Sequence, residues 1–489
     1  MAVGLSFYKF MSIKTNFAYS SILTTANYIF PLITYPYVSR VLGVENIGKC
    51  NFVDAIVGCY IIIAMLGIRQ VGVREIAKAR DNQDKLNKVF TSLLLINSIT
   101  TFIALLIYVI TSTTVNKFSS YGQLMFIGAF KLFFTYMLID WFYQGLERFK
   151  YVTYRSIIIR FFYVLAVFLF VKNRDDYNTY YAILILSIIA NSVVNIFYCR
   201  KFVSLSIDIQ TMREVLIPVL YLGLYSILCW LYNSFSTMFL GFVANDIEVG
   251  YYTTATKLYM LFLSVFSAFT TVMLPRLSAL TQGSELGSFA NLIKKSVSVV
   301  STFTVPICYF SVYYSPEIVR MMAGRGYDMA VLPMRIIMPL IIIVGISQIV
   351  IMQVMMPLKL DKQILYATIW GAISGIVLNC ILVPLFFSVG AAVSWLMSEI
   401  IVLTISLSYV CKRTEISINF NELQENIISG LIYLFAYMLF EKFFHITYIL
   451  HITCGIIITI ILFFIIQCCL FRNGIASILI NQLISRYVK

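Results

Sequence analysis

Residues 35–88 read YPYVSRVLGVENIGKCNFVDAIVGCYIIIAMLGIRQVGVREIAKARDNQDKLNK, and this stretch decides the fold. It holds the end of one apolar segment, a short polar turn with Gly43 and Gly48, a second apolar segment and a basic connection. About 200 residues later the pattern returns as FSTMFLGFVANDIEVGYYTTATKLYMLFLSVFSAFTTVMLPRLSAL, residues 235–280, with Gly241 and Gly250 where the first copy has Gly43 and Gly48. A repeat at this spacing implies a chain built of two similar halves. Glycine at both turns is expected to serve tight reversals, because it adopts backbone angles that other residues avoid.

The medium follows from composition. Of 489 residues 60% are apolar and 12% charged, whereas soluble domains carry about 25% charged residues. Lipid offers backbone groups no water, so a chain crossing it forms helices or a closed barrel. Runs such as LIYLFAYMLF (431–440) and ITCGIIITIILFFIIQCCLF (452–471) lack the period-two alternation of a barrel strand. The fold class is therefore an all-α polytopic membrane protein. At roughly 20 residues per crossing, about fourteen spans are expected, near 16–38, 51–68, 89–110, 121–143, 156–171, 177–198, 214–239, 250–273, 296–314, 333–356, 364–385, 390–410, 427–444 and 448–470. Six of them separate the two copies. An even number makes the halves parallel, giving pseudo-symmetric six-helix lobes at 1–213 and 214–412, with two further helices and a tail at 413–489. Prolines 306, 339 and 384 inside spans, and Pro31 and Pro36 late in the first, are expected to kink their helices or serve as bending points.

The net charge of +14 reports topology and not a nucleic-acid partner. Connections on one side (1–15, 69–88, 144–155, 199–213, 275–295, 357–362, 411–426 and 471–489) carry 24 of the 36 Lys and Arg, and the opposite side carries 8. By the positive-inside rule both termini are expected in the cytoplasm. Lys9 and Lys14 precede a long apolar segment with no persuasive cleavage site, which reads as a retained first helix. The ten cysteines show neither zinc spacing nor a secreted disulfide pattern, and His445 and His451 stand too far from other ligands to imply a metal. No metal and no cofactor is expected. Connections are short, with no inserted soluble domain of the kind a membrane glycosyltransferase uses to hold its catalytic groups.

Seven ionisable residues fall inside expected spans: Asp54, Lys131, Asp140, Arg160, Lys257, Arg335 and Glu399. Each costs about 2.5–3.5 kcal/mol at the bilayer centre on insertion scales. Facing lipid together, they would cost on the order of 20 kcal/mol, more than a marginally stable fold supports. They must pair, snorkel, or line a hydrated crevice. Lys257 lies about two turns into the eighth span, and superposing the repeats sets it one residue out of register with Asp54; both a static ion pair and a wet cavity fit. Glu399 is similarly deep. Asp140 and Arg160 flank DWFYQGLERFKYVTYRSIIIR, where snorkelling or local pairing accounts for them. Lys131 and Arg335 remain open between these roles, as does Arg40 at the end of the first span.

SRVLGVENIG (39–48), LGIRQVGVREIAKARDN (66–82) and DWFYQGLERFKYVTYRS (140–156), with GYYTTATKLY (250–259) and GAAVSWLMSE (390–399), resemble the Wzx-type oligosaccharide flippases of polysaccharide biosynthesis. These belong to the multidrug/oligosaccharidyl-lipid/polysaccharide exporter superfamily. The resemblance implies two six-helix lobes and alternating access. Its substrate is an undecaprenyl-pyrophosphate-linked oligosaccharide, moved from the inner to the outer leaflet of a bacterial cytoplasmic membrane for O-antigen, capsule or exopolysaccharide synthesis. Lys257 falls where the superfamily tends to place a cation in its eighth helix, so a substrate role is expected for Lys257 with Arg40, Lys131 and Arg335. Asp54, Glu399 and Asp140 are candidates for H+ or Na+ coupling or for gating. Asp54 is acidic where related lipid flippases often carry positive charge. Membrane lipids and a polymerase of the same pathway are the expected partners. Competing readings are a cation-coupled multidrug exporter, a peptidoglycan-precursor flippase and, from another class, a membrane polymerase or ligase.

Overall fold

The computed structural model describes residues 13–282, 286–413, 420–443 and 448–469, and every regular element among the described residues is helical. Among the described residues ten stretches are long and apolar enough to cross a membrane. Two of these fold back on themselves.

The first runs over Ile13–Met65 and is helical except at Gly43, whose φ of 78° and ψ of 169° lie in a region essentially reserved for glycine. Gly43 separates α1 (13–42) from α2 (44–65). The α1 arm runs beside α7 (Phe149–Phe170): the Thr153 hydroxyl donates to Tyr19 O (3.0 Å) and the Tyr37 hydroxyl to Val171 O (2.7 Å). The α2 arm runs beside α8 (Tyr177–Cys199), with Asn46 Nδ2 donating to Arg174 O (2.8 Å) and the Tyr181 hydroxyl to Asp54 (3.2 Å). One hairpin thus lies along another, and Gly43 is the reversal. Its counterparts are not. Gly48, Gly241 and Gly250 are helical, and the second copy turns at Ala244 and Asn245. There the Asn245 side chain accepts from Glu248 N (3.0 Å), so an asparagine cap does the work that glycine does in the first copy.

The connection expected over 69–88 is largely helix. In α3 (Ile68–Ala79) the residues Ile68, Val71, Gly72, Ile76 and Ala79 form a buried stripe, while Arg69, Arg74 and Lys78 face outward. Asn82 then caps α4 (Gln83–Thr114) by accepting from Lys85 N. After α5 (Gly122–Thr135), the short α6 (Asp140–Gly145) packs on α3 at very close range. A Cβ on Gly72 would stand 2.5 Å from the Trp141 ring, and one on Gly145 would stand 2.7 Å from Ile76 Cβ. Trp141, Phe142 and Tyr143 enter the same apolar core as Phe90, Leu93 and Val152. The long α9 (Ile209–Val243) joins this core near its start: Val215 and Val219 are buried in it, and Gly67 N donates to Val219 O (3.1 Å).

The chain divides into two compact units, residues 1–238 and 239–489. The second begins within α9 and continues through α10 (Asp246–Gln282), α11 (Leu286–Tyr313) and α12 (Ser315–Met322). Pro339 separates α13 (Val331–Ile337) from α14 (Leu340–Gln348), as a helix-interrupting proline should. Pro31, Pro36, Pro306 and Pro384 lie inside helices without breaking them. The second folded-back stretch, Asp361–Arg413, reverses at Phe387 (φ 49°), giving α15 (361–386) and α16 (388–413). Gly390 sits against Leu382 and Gly375 against Ser398, so the two arms are antiparallel at glycine-close range. Two more apolar helices, α17 (Asn421–Phe443) and α18 (Tyr448–Cys469), follow.

Candidate functional site

Charged groups inside apolar helices survive when each has a partner or water. In the first unit three helices bring such groups together. Asp54 on α2 accepts from Lys131 Nζ on α5 at 2.5 Å and from the Tyr181 hydroxyl on α8. Lys131 is the more enclosed, with 15% of its side chain exposed against 39% for Asp54. Gly128, one turn before Lys131, lets α5 close onto Val57 and Tyr108. Lys131, expected from the resemblance to contact substrate, is the direct partner of Asp54.

A second cluster surrounds Asp140. Ile139 is left-handed (φ 36°), which turns the chain so that Asp140 starts α6 with its carboxylate toward α7. Asp140 Oδ1 accepts from Arg155 Nη1 and Nη2, both at 3.0 Å, and from Asn195 Nδ2 at 3.0 Å. Arg155 also donates to Asn195 Oδ1 and to Ser156 Oγ. Asn195 in turn donates to Leu138 O and accepts from the hydroxyls of Tyr143 and Tyr151. Sequence reasoning placed Arg155 at the edge of a polar connection. It lies inside α7, is buried, and is the group that takes the local pair with Asp140. Arg160 is a turn and a half further along α7 and half-buried. Arg40, at the end of α1, is exposed and donates to Pro36 O (3.1 Å).

In the second unit, Ser388 N donates to Glu248 Oε2 (3.1 Å), which ties the start of α16 to the start of α10. Both helices then run inward side by side. Eleven residues on along each, Tyr259 faces Glu399 electrostatically and packs edge-on against Trp395 at 5.1 Å. Glu399 is 5% exposed and Lys257 half-buried. At 1.5 Å per residue both stand roughly 14–17 Å in from the tied ends, near mid-span. Lys257 and Glu399 thus share a depth in one unit. Arg335 is elsewhere: exposed on α13, it donates from Nε to Ser315 Oγ at 2.8 Å, near the start of α12. A histidine that sequence reasoning set aside, His451 on α18, meets Glu317 on α12 at 3.1 Å between Tyr314 and Phe440.

These features define a polytopic helical membrane protein that keeps ionisable side chains within its apolar helices. Its fold is shared with transporters: a structure of lipid II flippase MurJ in an inward closed conformation superposes with a TM-score of 0.66 at 15% identity, covering 91% of this chain and 100% of that one. An inward-facing multidrug resistance MATE family transporter of the MOP superfamily gives 0.61 at 13% identity, covering 82% and 95%. The chain belongs to the family described as polysaccharide biosynthesis protein, which it matches over residues 13–281. Among relatives, a protein of Escherichia coli (strain K12) named for O-antigen transport is 25% identical over 405 residues, 82% of this chain and 97% of its own length. A Shigella dysenteriae protein of the same name is 23% identical over 81% of this chain and 100% of its own length.

Proposed function

We propose that this chain is a flippase. It carries undecaprenyl-pyrophosphate-linked oligosaccharide repeat units from the inner to the outer leaflet of the bacterial cytoplasmic membrane, with both termini in the cytoplasm. The observation that carries the reading is the match to nearly the whole length of relatives named for O-antigen transport. The charges held inside both units support it. The physics agrees. A pyrophosphate bearing several sugars cannot enter hydrocarbon, whereas its polyprenyl tail can stay in lipid. Carrying it across takes binding and a change of access, with no nucleophile and no bond broken.

The mechanism we favour is alternating access by two halves, 1–213 and 214–412, with 413–489 appended. Lys257 is the principal headgroup contact in the second unit, Arg40 is a separate candidate in the first, and Arg335, tied to Ser315, is a candidate apart from Lys257. Lys131 enters this set only when Asp54 releases it. Protonation or sodium binding at Asp54, Glu399 or Asp140 would reset the carrier, and Asp54 is the best placed, because neutralising it frees the Lys131 ammonium. A polymerase of the same pathway would receive the product.

The decisive experiment is transfer of a labelled lipid-linked oligosaccharide between leaflets of proteoliposomes that contain only this purified chain. Transfer at a rate above protein-free vesicles is expected, with strong loss in Lys257→Ala at equal protein level. No transfer by the wild-type chain would overturn the reading. Transfer of lipid II alone would favour the peptidoglycan-precursor alternative, whose fold this chain shares.

A further inference from the structure

We propose that Arg160 is an anion subsite in the first unit that takes the pyrophosphate of the substrate; this rests on the flippase reading above. The residue sits at the midpoint of α7, which spans Phe149–Phe170. At 1.5 Å per residue its Cα is roughly 15 Å from either end, too deep for the side chain to snorkel out. Nor does it point to lipid. It shares a helix face with Ser156 and Val167, both buried, and with Tyr163, which is set against Thr34 of α1 and Tyr180 of α8. The exposed apolar face of α7, with Ile158, Phe161, Phe162 and Leu165, lies on other positions.

What distinguishes Arg160 is its lack of a partner. Two charged groups act on it, Arg155 and Asp140, one repelling and one attracting. Asp140 is already held by both terminal nitrogens of Arg155 and by Asn195. The cluster therefore holds two guanidinium groups and one carboxylate. Among the described residues Arg160 makes no hydrogen bond and no ion pair. The other cations enclosed within α5 and α7 differ: Lys131 is bound to Asp54 and Arg155 to Asp140, while Lys150 is exposed at the start of α7. A planar guanidinium presents a fork of donors that matches phosphate oxygens in pairs. A half-buried one with no carboxylate of its own is suited to a doubly charged ligand that brings in its own anion.

The test uses the full chain in nanodiscs of zwitterionic lipid, with sugar-free undecaprenyl pyrophosphate as probe and undecaprenol as the uncharged control. Loss of a charge-assisted contact predicts that Arg160→Met weakens pyrophosphate binding by about tenfold or more, that Arg160→Lys recovers most of it, and that undecaprenol binding does not change. Without ligand, Arg160→Met should melt no lower than wild type, since it breaks no pair, whereas Arg155→Met should melt clearly lower. This contrast separates a ligand role from a packing role. Wild-type affinity in Arg160→Met, or a melting loss equal to that of Arg155→Met, overturns the subsite alone. Failure of the wild-type chain to bind undecaprenyl pyrophosphate in preference to undecaprenol overturns the flippase reading and the subsite with it.

Discussion

Lys131 and Asp54 are 77 positions apart, yet their charged atoms meet at 2.5 Å. A partly buried pair of this kind stabilises less by its own attraction than by sparing each charge from standing alone. Asp54→Asn should therefore lower the melting temperature more than Lys131→Met, because it strands the more enclosed charge, the Lys131 ammonium, whereas loss of the lysine leaves a carboxylate that is 39% exposed. The double variant should recover part of the loss, with a coupling on the order of 1–3 kcal/mol in a melting cycle. Additive losses would show that the pair contributes nothing. Which ionisable residues lie within apolar helices was legible in the sequence, since Asp54, Lys131, Asp140, Lys257 and Glu399 each interrupt an apolar run. Their partners were not. A helix face is readable from a 3.6-residue period, but the face it meets 77 residues away is set by packing. Arg155 was missed for a smaller reason: the apolar run of α7 starts after it, while the helix itself starts six residues before it.

At the scale of elements, the apolar runs specify helices, because lipid leaves the backbone no other partner. Gly43 marks a reversal that its sequence repeat does not reproduce. The amphipathic α3 escaped notice because exposed Arg69, Arg74 and Lys78 make a twelve-residue helix read as a basic connection. Its close fit onto α6 gives a sharp expectation. Gly72→Leu forces a side chain into the Trp141 ring and should destabilise by about 1–3 kcal/mol, as overpacked cores do; an unchanged melting curve would contradict the contact. The start of α9 gives another. The Thr211 hydroxyl donates to Asp208 at 2.6 Å and holds that carboxyl below its ordinary value. A depressed folded value means stabilisation is present above the unfolded pKa, near 3.9, and is lost as pH falls through the folded one. Wild type should melt above Asp208→Ala at neutral pH, and the two curves should converge below about pH 4.

For the whole molecule, contacts within the chain divide it into two compact units, 1–238 and 239–489. The expectation that belongs to this scale is coupling. If ion exchange at Asp54 or Glu399 resets the carrier, Asp54→Asn or Glu399→Gln should make transport in proteoliposomes insensitive to an imposed proton or sodium gradient, while substrate binding persists. Gradient dependence unchanged in both variants would remove these two carboxylates from the coupling scheme.

The reversals at Gly43 and Phe387 join helix to helix through a single residue, with Gly390 pressed on Leu382 and Asn46 bonded to Arg174 O beside the bend. Such corners leave no spare chain. Epitope tags, protease sites or reporter fusions inserted there would have to pry two packed helices apart. The non-helical segment 203–208 is held to α4 through Ser204 and Ser206, but Leu205 and Ile207 are largely exposed, so a label at either of these two side chains displaces less packing.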